Sequence, residues 1–314
     1  MILTFMRVSA VIAPPRPEAI DKLRRIVGRP PKIKSRVKIE MTTINGIKCE
    51  WMEHISAADC PLVMLYLHGG GYCMLSTATH RGLTSKFSKL AGIKVLAVDY
   101  RLAPEHPFPA ALEDALAVYT WLIDPQGGGY RPQNVVIGGD SAGGGLTLAT
   151  MLRARDQGLP LPSAIVCLSP WVDLECRGES WKKYKSYDYL SMPETFNCPQ
   201  MYAGNHRLDH PLISPINASL VVGEVEVLRD EAVMLAEKAK TDGVDATLEI
   251  YTDMVHVFQA FGGLAAKSRE ALNSAVAFIH THIGRTRRQS GPTSFTSITS
   301  TSTSSSLFVA VAAL

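Results

Sequence analysis

Residues 135–145 read Val-Val-Ile-Gly-Gly-Asp-Ser-Ala-Gly-Gly-Gly, and this stretch decides the fold. Its apolar, β-branched start shows no alternation, as expected of a strand covered on both faces in a parallel sheet. Gly144–Arg155 is small and apolar, stops before Gly158, and reads as a helix. Between strand and helix lies the pattern G-x-S-x-G, Gly139–Gly143. A turn that tight needs small flanking residues and holds its serine in a strained conformation above the sheet. Ser141 is therefore the candidate nucleophile, at a helix N-terminus that favours developing negative charge.

The same rhythm extends outward. Leu62–Leu67, Val95–Val98 and Ala164–Leu168 are further unbroken apolar runs. Ala110–Leu122, Glu231–Lys240 and Lys267–Ile283 carry helical patterns. Strands alternating with helices predict an α/β fold with a mostly parallel central sheet. Val37–Thr43 alternates, Asn45-Gly46 follows, and Ile47–Trp51 alternates again, so an antiparallel hairpin opens the sheet. Residues 1–36 and about 176–215 fit this rhythm poorly. They are candidates for a cap over the sheet's C-terminal edge, where α/β ligands bind.

Composition narrows the class. The chain has 314 residues, and a net charge of +3 offers no steering field for nucleic acid. Length alone allows two domains, but the pattern favours one catalytic domain over residues 1–284. No apolar run approaches the roughly 20 residues needed to span a bilayer. Arg7 interrupts the apolar Met1–Ala13, which lacks a basic lead-in, so secretion is disfavoured and a cytoplasmic setting expected. The six cysteines form no tight framework and no metal-ligand spacing, which predicts reduced thiols, no structural metal and no cofactor. After residue 284 the character changes, and 13 of the 17 residues in 290–306 are Ser or Thr. Residues 285–314 are therefore expected to form a disordered tail, including the short apolar LFVAVAAL at 307–314.

Three further features bear on chemistry. His68-Gly69-Gly70-Gly71 follows an apolar strand. Glycines there expose backbone N–H groups where acyl transfer needs an oxyanion site. Gly69 and Gly70 are the expected donors with Ala142, and His68 is expected to brace the loop. A serine nucleophile also needs a base and an orienting acid, in the order Ser, acid, His. His256 alone among nine histidines lies on a loop after a late strand pattern, residues 246–251. Glu226 is the expected acid, with Glu224 and Asp230 as rivals and Asp230 more like a helix cap.

These motifs resemble the hormone-sensitive-lipase-like family of α/β-hydrolase serine esterases. The resemblance rests on HGGGY at 68–72, DYRLAPEHP at 99–107, GDSAGG at 139–144, SPWVDL at 169–174, ISP at 213–215, GEVEVLRD at 223–230 and MVHVFQ at 254–259, and covers residues 15–284. It implies an α/β-hydrolase fold with a helical cap and carboxylester hydrolysis of short to medium acyl chains. By analogy Ser141 is nucleophile, Glu226 acid and His256 base, and a small-molecule ester is the partner. Relatives also cleave lactones and amides, and the resemblance leaves room for a homodimer. One departure stands out. Ile213–Leu220 runs almost directly into Val221-Val222-Gly223, so part of the strand that precedes the acid loop in the family is missing here. A catalytically impaired ligand-binding homologue is the alternative that this departure raises.

Overall fold

The computed structural model describes residues 17–33, 36–184, 188, 197–217, 229–241, 244, 246–252, 254–261, 266–288 and 306–313. Helix α1 (Pro17–Val27) precedes the hairpin of β1 (Val37–Ile44) and β2 (Ile47–His54). Asn45 (φ 51°) and Gly46 (φ 83°) both take the left-handed conformation that a two-residue hairpin turn requires, which Asn-Gly supplies at little cost. Then follow β3 (Val63–Leu67), α2 (Thr77–Ala91), β4 (Lys94–Val98), α3 (Ala110–Ile123), β5 (Val135–Asp140), α4 (Ala142–Asp156) and β6 (Ala164–Leu168). The short helices α5 (Ser180–Lys183) and α6 (Cys198–Ala203) come next, then α7 (Arg229–Thr241), β7 (Ala246–Thr252), α8 (Ala266–Arg288) and β8 (Ser306–Ala313).

The eight strands form one sheet in the order β1-β2-β4-β3-β5-β6-β8-β7. The β1–β2 and β2–β4 ladders are antiparallel and the other five are parallel. Strands β3, β5 and β6 are buried at every residue, so they cannot alternate in the sequence. Their side chains divide between the two faces. Leu65, Leu67, Leu96, Ile137 and Cys167 pack with α3, α4 and α7. Tyr66, Val95, Val136 and Val166 pack with α2 and α8. The result is a three-layer α/β sandwich whose parallel strands all aim their C-terminal ends at one edge.

Two expectations meet a different outcome. Helix α8 runs past residue 284 to Arg288, and Ser306–Ala313, inside the tail expected to be disordered, is a strand of the sheet. That strand pairs in parallel with β6 on one side and β7 on the other. It thus lies between β6 and β7 in the sheet. Residues 289–305 of the expected tail lie outside the described residues; at 306–313 a run of Leu, Phe, Val and Ala between two parallel neighbours outweighs the composition that favours disorder.

Candidate active site

The site grows from the end of β5. Ser141 has φ 54° and ψ −125°, a conformation costly to an L-residue, between the last residue of β5 and the first of α4. Neighbouring contacts fix it there. The Ser141 N–H donates to the Leu168 carbonyl at 2.9 Å, and the Ser141 carbonyl accepts from Trp171 N at 2.9 Å and Gly144 N at 2.9 Å. Its side chain does not cap α4, so the hydroxyl is not spent on the helix. A Cβ on Gly143 would collide with the Leu67 carbonyl and lie 2.5 Å from the His68 carbonyl oxygen. A Cβ on Gly139 would lie 2.5 Å from the Leu67 oxygen. The G-x-S-x-G spacing is thus a packing requirement between the elbow and the end of β3.

Beside the elbow, the glycine loop follows β3. Gly70 (φ 123°) and Gly71 (φ 62°) take conformations open to glycine alone or nearly so. Gly69 N–H donates to Asp140 Oδ1 at 3.2 Å. That donor is already engaged and cannot also face an oxyanion, which corrects the assignment of Gly69. Gly70 and Gly71 carry the remaining N–H groups of the loop beside Ala142 at the start of α4. The Gly70 carbonyl turns away and accepts from Cys73 N (3.1 Å) and Met74 N (2.9 Å).

Asp140 was not singled out by its sequence. Its buried carboxylate also accepts from Tyr66 Oη at 2.6 Å and His80 Nε2 at 3.2 Å. Burial alone would raise the Asp140 carboxyl, but the charge and hydrogen bond of His80, with the Tyr66 hydroxyl, outweigh it and hold it below its ordinary range. Burial likewise opposes charge on His80, and Asp140 overcomes it, so the imidazole is raised. One buried ion pair therefore ties β5, α2 and the glycine loop together next to the nucleophile. His68 does brace its loop. Its Nδ1–H donates to the Gly69 carbonyl at 2.7 Å, and its ring stacks on Tyr100 at 4.4 Å. Burial, with His80 nearby, lowers its pKa to about 3, so it stays neutral.

His256 is buried on the loop after β7. The next residue, Val257, donates its N–H to Ser169 Oγ at 3.2 Å. Ser169 directly follows Leu168, whose carbonyl holds the Ser141 N–H. The loops of nucleophile and base are thus anchored to the same end of β6. Glu226 and its rival Glu224 lie outside the described residues. Asp230 is described, and its Oδ2 accepts the Ser180 N–H at 2.8 Å at the start of α5, a helix-capping role rather than a partner for His256. Its neighbour Glu231, absent from the sequence expectations, is buried. It accepts from Val172 N (2.7 Å), Asp173 N (2.8 Å) and Trp181 Nε1 (3.1 Å). Burial, and then the charge of Asp173, push its carboxyl well up. It braces the turn after Ser169-Pro170; its position in the first turn of α7, after LRD, is the only signal the sequence offers.

Both expected cap segments reach the glycine loop. Arg24 of α1 donates to the Cys73 carbonyl (2.8 Å) and the Ala103 carbonyl (2.9 Å) and pairs with Glu105 at 2.6 Å. On α6, Tyr202 stacks on Tyr72 at 3.7 Å and 7°, and Cys198 Sγ would stand 3.3 Å from a Cβ on Gly71. The Trp171 ring would lie 3.9 Å from the same atom. Among the described residues no cluster of His, Cys, Asp and Glu could hold a metal ion, and no helix is long and apolar enough to cross a membrane.

Comparison with known proteins agrees with this geometry. Residues 64–260 match the family described as alpha/beta hydrolase fold. The chain belongs to that family. Within it, the chain is 37% identical over 254 residues to an acetyl-hydrolase of Streptomyces hygroscopicus, covering 78% of this chain and 83% of the relative. It is 34% identical over 235 residues to an ethyl acetate hydrolase of Pseudomonas putida, covering 70% and 73%. The crystal structure of an esterase from the bacterial hormone-sensitive lipase family superposes with a TM-score of 0.81 at 39% identity, covering 90% of this chain and 97% of the other. This α/β-hydrolase is of the carboxylesterase type, and the resemblance drawn from its motifs holds.

Proposed function

We propose that the chain hydrolyses carboxylic esters of short to medium acyl chain through an acyl-enzyme. Ser141 is the nucleophile, His256 the base and Glu226 the acid. As Ser141 Oγ attacks the ester carbonyl, His256 takes its proton, and the new oxyanion sits on the N–H groups of Gly70, Gly71 and Ala142. His256 then gives the proton to the leaving alcohol. Water, activated by the same imidazole, cleaves the acyl-Ser141 ester and releases the acid. Glu226 fixes the imidazole tautomer and stabilises the imidazolium. It is proposed on its position in the sequence, 30 residues before His256.

The observation that carries this reading is the positive-φ Ser141 at the start of α4, with its main chain and the His256 loop held by adjacent residues of one strand end. Trp171, Cys198 and the stacked Tyr72 and Tyr202 crowd the Gly71 side of the site, which supports a small acyl group. The names of the acetyl- and ethyl acetate-hydrolysing relatives support the same size class. Among the described residues, nothing in the geometry favours a non-catalytic binder. Cys49, Cys73, Cys167 and Cys198 are buried thiols, which supports the reducing, cytoplasmic setting. The test is p-nitrophenyl butyrate hydrolysis and fluorophosphonate labelling of the parent beside Ser141→Ala. Loss of both in the variant is expected, and equal rates in the two proteins would sink the assignment.

A further inference from the structure

Strand β7 leads into the candidate base, since its last residue, Thr252, precedes His256 by four positions. Among the described residues, β7 is hydrogen-bonded to the sheet only through β8. The ladder is long, running from Ala246↔Leu307 to Thr252↔Ala313. On its other side β8 pairs with β6, from Ala164↔Ser306 to Leu168↔Ala310. Leu168 is the residue whose carbonyl holds the Ser141 N–H. The backbone path from nucleophile to base therefore crosses 306–313.

We infer that residues 306–313 act as a donor strand that positions the catalytic base. The segment follows α8 in the chain and lies between β6 and β7, paired with both. Its composition suits that place. Residues 307–313, LFVAVAA, contain no charge, no proline and no glycine, as an interior parallel strand requires. With the strand seated, β7 is in register with β6 and delivers the His256 loop to Ser169. Without it, β7 has no ladder among the described residues to the nucleophile's side of the sheet, and the base loses its fixed distance from Ser141. The positioning role rests on the esterase reading above; the strand pairing does not.

The experiment compares the full-length parent with Val309→Pro, Val309→Ala and Ser300→Pro by hydrogen exchange and by p-nitrophenyl butyrate hydrolysis. Val309 pairs with Cys167 and Leu248, so proline there disrupts the strand in mid-ladder, whereas alanine keeps the N–H. Ser300 lies outside the strand. In the parent, amides of 306–313 should be protected and should open together with those of 246–252. In Val309→Pro, protection of 246–252 should fall while β3 and α3 stay protected, and kcat/KM should drop on the order of a hundredfold, as for a catalytic group displaced by about 1 Å. Val309→Ala and Ser300→Pro should resemble the parent. An active parent whose 306–313 amides exchange like an unstructured peptide would overturn the inference. So would a Val309→Pro protein with the parent's kcat/KM, or a Val309→Ala protein as damaged as the proline variant. Should Val309→Pro unfold outright, the parent's exchange pattern still decides. An inert parent with both strands protected would refute the esterase reading and leave the pairing standing.

Discussion

Asp140 offers the sharpest test of how this site is held. Its carboxylate receives three donors, Tyr66 Oη, Gly69 N and His80 Nε2, with almost no exposure to water. Asp140→Ala strands all three. Removing one partner of a buried ion pair costs about 3–5 kcal/mol. For a domain near this size that means a fall in Tm of roughly 6–20 °C, at about 2–4 °C per kcal/mol. Asp140→Asn should behave differently. The amide oxygen still accepts from Tyr66 and Gly69. The amide N–H₂ can donate to His80 Nε2 if the imidazole moves its proton to Nδ1, which lies 3.1 Å from the Ser76 carbonyl. The three original partners are then satisfied, and the loss is confined to the charge and one amide N–H, at about 1–2 kcal/mol. Activity should separate the same way. Asp140→Ala frees the Gly69 peptide and should lower kcat with p-nitrophenyl butyrate by about a hundredfold, while the asparagine variant stays within about tenfold. Thermal unfolding and initial rates at neutral pH read both quantities. If alanine and asparagine destabilise equally, or alanine costs less than about 1 kcal/mol, the carboxylate is not the brace described above.

Three further outcomes are expected. The backbone at Ser141 is strained for any residue with a Cβ, so Ser141→Gly should be inactive yet about 1 kcal/mol more stable than Ser141→Ala; equal urea midpoints would contradict the strain. His80 is raised above its ordinary value, so its pairing with Asp140 is fully present below about pH 6.5 and is lost as pH rises through its folded pKa, and Asp140 sets the acid limit because its carboxyl is lowered. The Tm gap between parent and His80→Gln should therefore shrink as pH rises from neutral, and a gap that widens would reverse the assignment. Among Glu226→Gln, Glu224→Gln and Asp230→Asn, only the first should lose hydrolysis by about three to four orders of magnitude, and a larger loss in either of the others would move the acid.

What was legible follows from how local each cause is. The hairpin was carried by Asn45-Gly46, and the elbow by small residues at fixed spacing beside Ser141. The unbroken runs at 62–67, 135–137 and 164–168 announced strands buried on both faces. Helix α2 lacks an amphipathic pattern because much of its buried face is polar. Thr84 and Ser85 return their hydroxyls to the His80 and Arg81 carbonyls one turn back, and Ser88 accepts the His54 N–H at 2.9 Å, so these residues pack without an apolar signature. The engagement of Gly69 depends on a carboxylate 71 residues away, and Glu231 acts on a turn 58 residues away. Neither spacing leaves a local trace. The strand at 306–313 is illegible for the same reason, since parallel pairing is decided by neighbours far off in sequence.

That distance shapes how the protein acquires its fold. The β6–β8 ladder begins by joining Ala164 to Ser306, the two ends of a loop that contains the cap, α7, β7 and α8. Closing so long a loop costs entropy before any pairing repays it, so this ladder belongs to the late part of folding. Until it forms, β6 presents an unpaired apolar edge of five residues, the kind of surface that recruits another chain. The half of the sheet that carries the nucleophile can settle early from short-range βα units, whereas the half that carries the base must wait. Refolding yield, more than final stability, is where this architecture is most exposed to protein concentration.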